Sequence, residues 1–166
     1  MDLLKGKAIM VWTFMGNTRM YQALRDYGDR ISQIGLFSFK VRATGEIYES
    51  GVSIAAGSVM RTYINKWPHI KWLLTVANDG TNSIFKALRD NTDGAQDMFL
   101  SELIRIMEKY PWCDGIDIDL EKGDDYSTHA ASTTMFKNIY NTVKAYDSAK
   151  LMNICLPGMT SVNGSV

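Results

Sequence analysis

The run Asp114-Gly115-Ile116-Asp117-Ile118-Asp119-Leu120-Glu121 decides how this chain folds. From Ile116 onward its residues alternate strictly, with acids at 117, 119 and 121 set against Ile116, Ile118 and Leu120. A strand reads with period two, so the three carboxylates line one face and the aliphatic side chains the other. A half-exposed strand turning its acids to water would alternate in the same way. The flanking sequence favours a central strand instead. Met107 and Tyr110 close an amphipathic run before the motif and a second such run follows it, so the strand sits in a helix–strand–helix series, covered on both faces. Three inward acids repel one another, and each costs several kcal/mol to bury as an ion. Carboxylates kept at that cost cluster at active sites, which marks Asp117, Asp119 and Glu121 as candidate catalytic residues.

On either side of the motif, strand-like runs alternate with helical ones. Residues 8–14 read as a first strand, and 18–27 as a helix with Met20, Leu24 and Tyr27 on one face. Residues 33–41 (QIGLFSFKV) form the second strand, with a turn or small hairpin over 45–51. A helix over 57–66 ends at Trp67-Pro68, because the residue before proline resists the α region. The third strand, 71–78, stops at Asp79-Gly80. The clearest helix, 93–110, has Phe99, Leu103, Ile106 and Tyr110 at helical spacing and Pro111 just past its end. After the motif strand comes a helix over 127–146 carrying Met135, Phe136, Ile139, Tyr140 and Val143, then a fifth strand over 151–156, broken by Pro157-Gly158. Even alternation of this kind predicts parallel βαβ units in one α/β domain spanning residues 1–166.

Composition excludes several function classes. The chain of 166 residues is 46% hydrophobic and 22% charged, ordinary for a globular domain with a real core. Eighteen basic and eighteen acidic residues cancel, so charge makes no case for a nucleic-acid or anionic-membrane partner. No run reaches the length of a membrane helix, and the first residues lack the pattern of a signal peptide. Cys113 and Cys155 fall at or within strands and read as buried free thiols, although a disulfide between neighbouring strands is open. His69 and His129 lie in different elements without partners at metal-ligand spacing, so no metal or cofactor is expected; both read as surface or helix-cap residues.

The motif also resembles the D-G-x-D-x-D-x-E signature on the fourth strand of the (β/α)8 barrel of glycoside hydrolase family 18, the chitinase-like enzymes. Asp114, Gly115, Asp117, Asp119 and Glu121 match it, and Tyr110-Pro111-Trp112-Cys113 is similar to the family's strand entry. The resemblance implies substrate-assisted hydrolysis of β-linked N-acetylglucosamine polymers, chitin or the peptidoglycan of cell walls. Glu121 would be the general acid, Asp119 would orient the substrate's 2-acetamido group, and Asp117 would share a proton with Asp119 and tune it. Asp114 has the opposite parity and reads as structural. Two features depart from the pattern: Thr75-Val76-Ala77-Asn78 replaces the usual S-x-G-G of the third strand, and Leu120 the common aromatic. Asn78, followed by a short polar loop and Phe85, is similar to the branch related to spore-cortex lytic enzymes.

Trp12, Phe14, Phe37 and Phe39 lie near strand ends, where aromatics serve as core or barrel lining or stack on sugars. Trp12 is the preferred sugar contact among them and Asn78 the preferred polar substrate contact. A full (β/α)8 barrel takes about 250 residues. The fold expected here is therefore an incomplete TIM-type barrel, about five parallel strands covering the first five-eighths of the family's barrel. Its first and last strands, near Met10 and Ile154, would present open edges, to be covered by a missing segment or another chain. Two other readings compete with a glycosidase. The acids could hold a divalent cation, although Lys122 stands where an EF-hand loop needs glycine. Alternatively the chain is a non-catalytic structural or carbohydrate-binding module of a larger assembly such as a phage tail, which would reach the cell exterior within that particle or by lysis.

Overall fold

The computed structural model describes residues 9–14, 18–50, 59–121 and 129–155. Within them the chain forms β1 (Met10–Phe14), α1 (Thr18–Tyr27), β2 (Gln33–Val41), β3 (Ile47–Glu49) and α2 (Val59–Lys66). It continues as β4 (Lys71–Ala77), α3 (Asn82–Arg89), α4 (Ala95–Lys109), β5 (Gly115–Asp119), α5 (His129–Tyr146) and β6 (Leu151–Ile154). Five strands run parallel in the order β1-β2-β4-β5-β6, and β3 folds back antiparallel on β2 as the small hairpin expected there. Sequential parallel order with helical crossovers is the arc of a (β/α) barrel, left unclosed among the described residues.

The arc is strongly curled. The Asn153 side chain on β6 donates from Nδ2 to Gln33 Oε1 of β2 at 2.9 Å and reaches Met10 Sδ of β1 at 3.0 Å. Residues on the first and last strands of a flat sheet would be far too distant to meet. Ile34, Leu36, Leu74, Val76, Ile116 and Ile118 are buried beneath the helices, in one core with Leu103, Ile106, Met107, Met135, Ile139 and Val143. Among the described residues no helix is long and apolar enough to cross a membrane.

One irregularity matters for the site. The β2–β4 register shifts between Phe37 and Phe39, so Phe37 aligns with Thr75 whereas Lys40 aligns with Ala77. The extra residue flips the parity of β2. Phe39 consequently turns into the outer core, its ring centroid 5.7 Å from that of Tyr110, and Lys40 joins the inner row with Ala77 and Asp119. Asp114 closes the other end of β5, accepting the Trp72 N–H and the Lys71 ammonium at 2.9 Å each, the structural role its parity implies.

Three local expectations change. Residues 82–89 form a helix where none is expected, because Ile84, Phe85 and Leu88 make a short apolar stripe, with Phe85 and Leu88 buried. Phe85 thus belongs to α3, not to a loop. Helix α4 starts at Ala95 instead of residue 93: Asn91, Asp93 and Gly94 all have positive φ, and the Asn91 carboxamide oxygen accepts the N–H groups of Gln96 and Asp97. Tyr27 ends α1 in solvent while Met20 and Leu24 are buried. The ends expected at residues 8, 57–58, 127–128 and 156 lie outside the described residues.

Candidate active site

The three acids form a burial gradient along β5 and just beyond it. Asp117 is fully buried, Asp119 half-buried, and Glu121 exposed two residues past the strand end. The alternating Ile116, Ile118 and Leu120 are all buried on the opposite face. Two of the acids, Asp119 and Glu121, line one cleft of about 290 Å³ at the C-terminal ends of the strands, with Phe14, Phe37, Lys40 and Asp79.

Asp117 is held by three donors. Its Oδ2 accepts the Trp12 indole N–H at 2.9 Å and the Thr75 hydroxyl at 2.8 Å. The Cys155 thiol donates to Oδ1 at 3.7 Å. Trp12 crosses from β1 over β2 to get there, and Gly35 makes the passage possible. A Cβ at Gly35 would lie 2.6 Å from the indole and 2.9 Å from Thr75 Oγ1. Among the described residues no hydrogen bond joins Asp117 to Asp119, so the expected direct sharing of a proton has no bond to carry it here. Their coupling is through space. Burial, then the charges of Glu121, Asp117 and Asp79, push the Asp119 carboxyl up to about 6.

Asn78 does something other than the expected sugar contact. It is buried, its Nδ2 donates to the Glu121 carbonyl at 2.8 Å, and its Oδ1 accepts the Glu121 N–H at 2.9 Å. The carboxamide pairs with the backbone of Glu121 as a neighbouring strand would, extending order past the last β5 residue. The same side chain donates to the Thr81 carbonyl and accepts the Gly80 N–H, both at 3.2 Å. A group so engaged has no donor left for a substrate. Trp12, by contrast, keeps 47% of its surface exposed, and Phe14 keeps 63%. Phe14 stacks on Phe37 with centroids 5.4 Å apart.

Both cysteines are free thiols, Cys113 buried and Cys155 half-buried. Burial and the neighbouring Asp117 and Asp119 push Cys155 up to about 12. His69 bonds the Gly28 carbonyl, and the side chain of His129 lies outside the description. Among the described residues no group of three or more His, Cys, Asp and Glu side chains is placed to hold a metal.

Thr75, Gly35, Cys155 and Lys40 have parts in the site that sequence reading missed. Only Thr75 left a signal, since its hydroxyl stands where the S-x-G-G pattern has serine.

No family model matches the chain, and no curated protein matches it in sequence. Solved structures do match its fold. A class V chitinase from Pseudomonas fluorescens Pf-5 superposes with a TM-score of 0.74 at 19% identity, over 90% of this chain and 44% of that one. The spore cortex-lytic enzyme SleL of Bacillus megaterium QM B1551 gives 0.67 at 14% identity, over 96% and 36%. A family 18 chitinase from Cycas revoluta, solved in complex with (GlcNAc)4, gives 0.63 at 12% identity, over 87% and 44%. The fold is therefore that of part of a chitinase-like TIM barrel, as the motif implied. The chain spans less than half the length of the solved structures it matches.

Proposed function

We propose that this chain is the acid-bearing part of a glycoside hydrolase acting on β-linked N-acetylglucosamine polymers by substrate-assisted, retaining hydrolysis. The observation that carries the reading is the graded row of carboxylates: Asp117 buried and bonded, Asp119 half-buried with its carboxyl raised to about 6, Glu121 at the mouth. Glu121 protonates the leaving glycosidic oxygen. The acetamido carbonyl oxygen of the substrate attacks the anomeric carbon from the other face, taking the place of an enzyme nucleophile. Asp119, ionised above about pH 6, accepts the acetamido N–H and steadies the positive charge that develops on that group. Asp117 stays fixed by Trp12 and Thr75 and acts on Asp119 as a charge. Asn78 is a positioning residue that sets the backbone of Glu121. The exposed face of Trp12 remains available to a sugar ring. The segment that closes the barrel comes from further chain or from another molecule, and without it turnover is poor.

A second reading rests on β1 and β6 having no outer strand partner among the described residues: a non-catalytic carbohydrate-binding module of a larger assembly, such as a phage tail. One experiment separates them. Chitotetraose and cellotetraose are incubated with the chain and with the complete polypeptide that contains it. Cleavage of chitotetraose alone, abolished by Glu121→Gln with binding retained, supports the enzyme. Binding without cleavage by either polypeptide supports the module. Equal cleavage of cellotetraose, or an active Gln variant, rejects the substrate-assisted mechanism.

A further inference from the structure

Lys40 and Asp79 meet at the cleft as an ion pair of 2.6 Å, joining β2 to the turn that follows β4. Each arrives there through a departure from regular backbone. The β2 register shift turns Lys40 to the inner face. Asp79 and Gly80 both lie in the left-handed region, at φ 51° and 65°, and the Thr81 N–H closes the turn on the Asn78 carbonyl at 3.0 Å. Glycine or asparagine at position 79 would suit that backbone at least as well, so the turn itself does not call for a carboxylate. The carboxylate is spent on Lys40. A pair this exposed adds little to global stability. Its effect is local.

That effect runs through Asn78. Within the turn the Asn78 carboxamide accepts the Gly80 N–H and donates to the Thr81 carbonyl, both at 3.2 Å. Outside the turn it holds both backbone groups of Glu121, at 2.8 and 2.9 Å. The turn is thus the base from which Asn78 grips Glu121, and Lys40 ties that base to the opposite wall of the cleft. We infer that Lys40 is a positioning residue for Glu121, acting through Asp79 and the Asn78–Thr81 turn on the backbone that aims the Glu121 carboxyl. The inference rests on the reading of Glu121 as the proton donor and names what keeps that donor in place. A contact of small energy can matter here, because misplacing a reacting group by about 1 Å can cost about 100-fold in rate.

The test is amide hydrogen exchange by NMR on the 166-residue chain at neutral pH and low salt, in the parent, Lys40→Met, Lys40→Arg, Asp79→Asn and the Met–Asn double variant. Methionine keeps an unbranched side chain and removes the charge; asparagine keeps the turn and removes the charge. The Glu121 amide should exchange about three- to fivefold faster in Lys40→Met and in Asp79→Asn, and the Ile116 and Ile139 amides should be unchanged. Lys40→Arg should restore the parent rate, and the double variant should be no faster than either single one. In a complete polypeptide that cleaves chitotetraose, Lys40→Met should lower kcat with KM little changed, and Lys40→Arg should recover it. Unchanged Glu121 exchange in Lys40→Met, an Arg variant as fast as the Met one, core amides accelerated equally, or an unaltered kcat overturns the inference and leaves the proposed function standing. The expected exchange pattern in a polypeptide that cleaves no N-acetylated glycan supports the tie between Lys40 and the Glu121 backbone and rejects the glycosidase reading.

Discussion

Replacing Asp119 by asparagine should make the protein more stable above pH 6 while damaging the site. The carboxyl is raised from 3.8 to about 6 because burial and three nearby acids oppose its charge. The folded state therefore binds its proton more tightly than the unfolded chain, so stability is higher below the unfolded value near 4 and falls as pH rises through about 6. Full burial would make that loss about 3 kcal/mol. Asp119 is only half-buried, and solvent screening reduces it to about 1 kcal/mol. An amide has the same shape and no charge, so Asp119→Asn should gain about 1 kcal/mol at pH 8, or about 2–4 °C in Tm for a domain of this size. At pH 4, where the native carboxyl is already protonated, the variant and the parent should coincide. Thermal unfolding followed by circular dichroism at both pH values decides it. An Asn variant less stable than the parent at pH 8, or shifted equally at both pH values, would refute the claim that Asp119 is electrostatically opposed in the fold.

Three further outcomes follow from contacts around Asp117. Thr75→Val leaves a buried carboxyl group short of a donor and should cost about 1–3 kcal/mol in urea denaturation. Gly35→Ala should cost a similar amount, about 1–3 kcal/mol, because its Cβ would collide with the Trp12 indole, and it should alter Trp12 packing by near-ultraviolet circular dichroism. Cys155, its thiol pushed up to about 12, should alkylate with iodoacetamide at pH 8 far more slowly than a peptide thiol, and faster in Asp117→Asn; alkylation at the peptide rate would contradict the placement.

The residues that strand periodicity could place were placed. Backbone geometry imposes the two-residue repeat of 116–121, so the split between buried aliphatics and inner acids needed no tertiary information. The parallel order of five strands came from the alternation of element types in the same way. What escaped depends on side chains meeting at a distance. Trp12 and Asp117 are 105 residues apart, and their bond exists because glycine at position 35 lets the indole pass. Lys40 faces the cleft only because one extra residue in β2 reverses its parity, which no periodic reading of 33–41 anticipates. Asn78 was singled out for a sugar contact, since its position at a strand end says nothing of the Glu121 backbone 43 residues away, to which its side chain is bonded. Helix α3 was missed because eight residues give barely two turns of pattern, and the polar residues before it read as loop.

A carbon-13 titration of the side-chain carboxyls, with and without chitotriose, tests the central claim most directly. The account predicts that Asp119 titrates near 6 in the free chain and that chitotriose perturbs the Asp119 and Glu121 resonances, whereas cellotriose, lacking the acetamido groups, leaves them in place. An Asp119 titrating near 4 like an ordinary aspartate, with neither resonance responding to chitotriose, would contradict it.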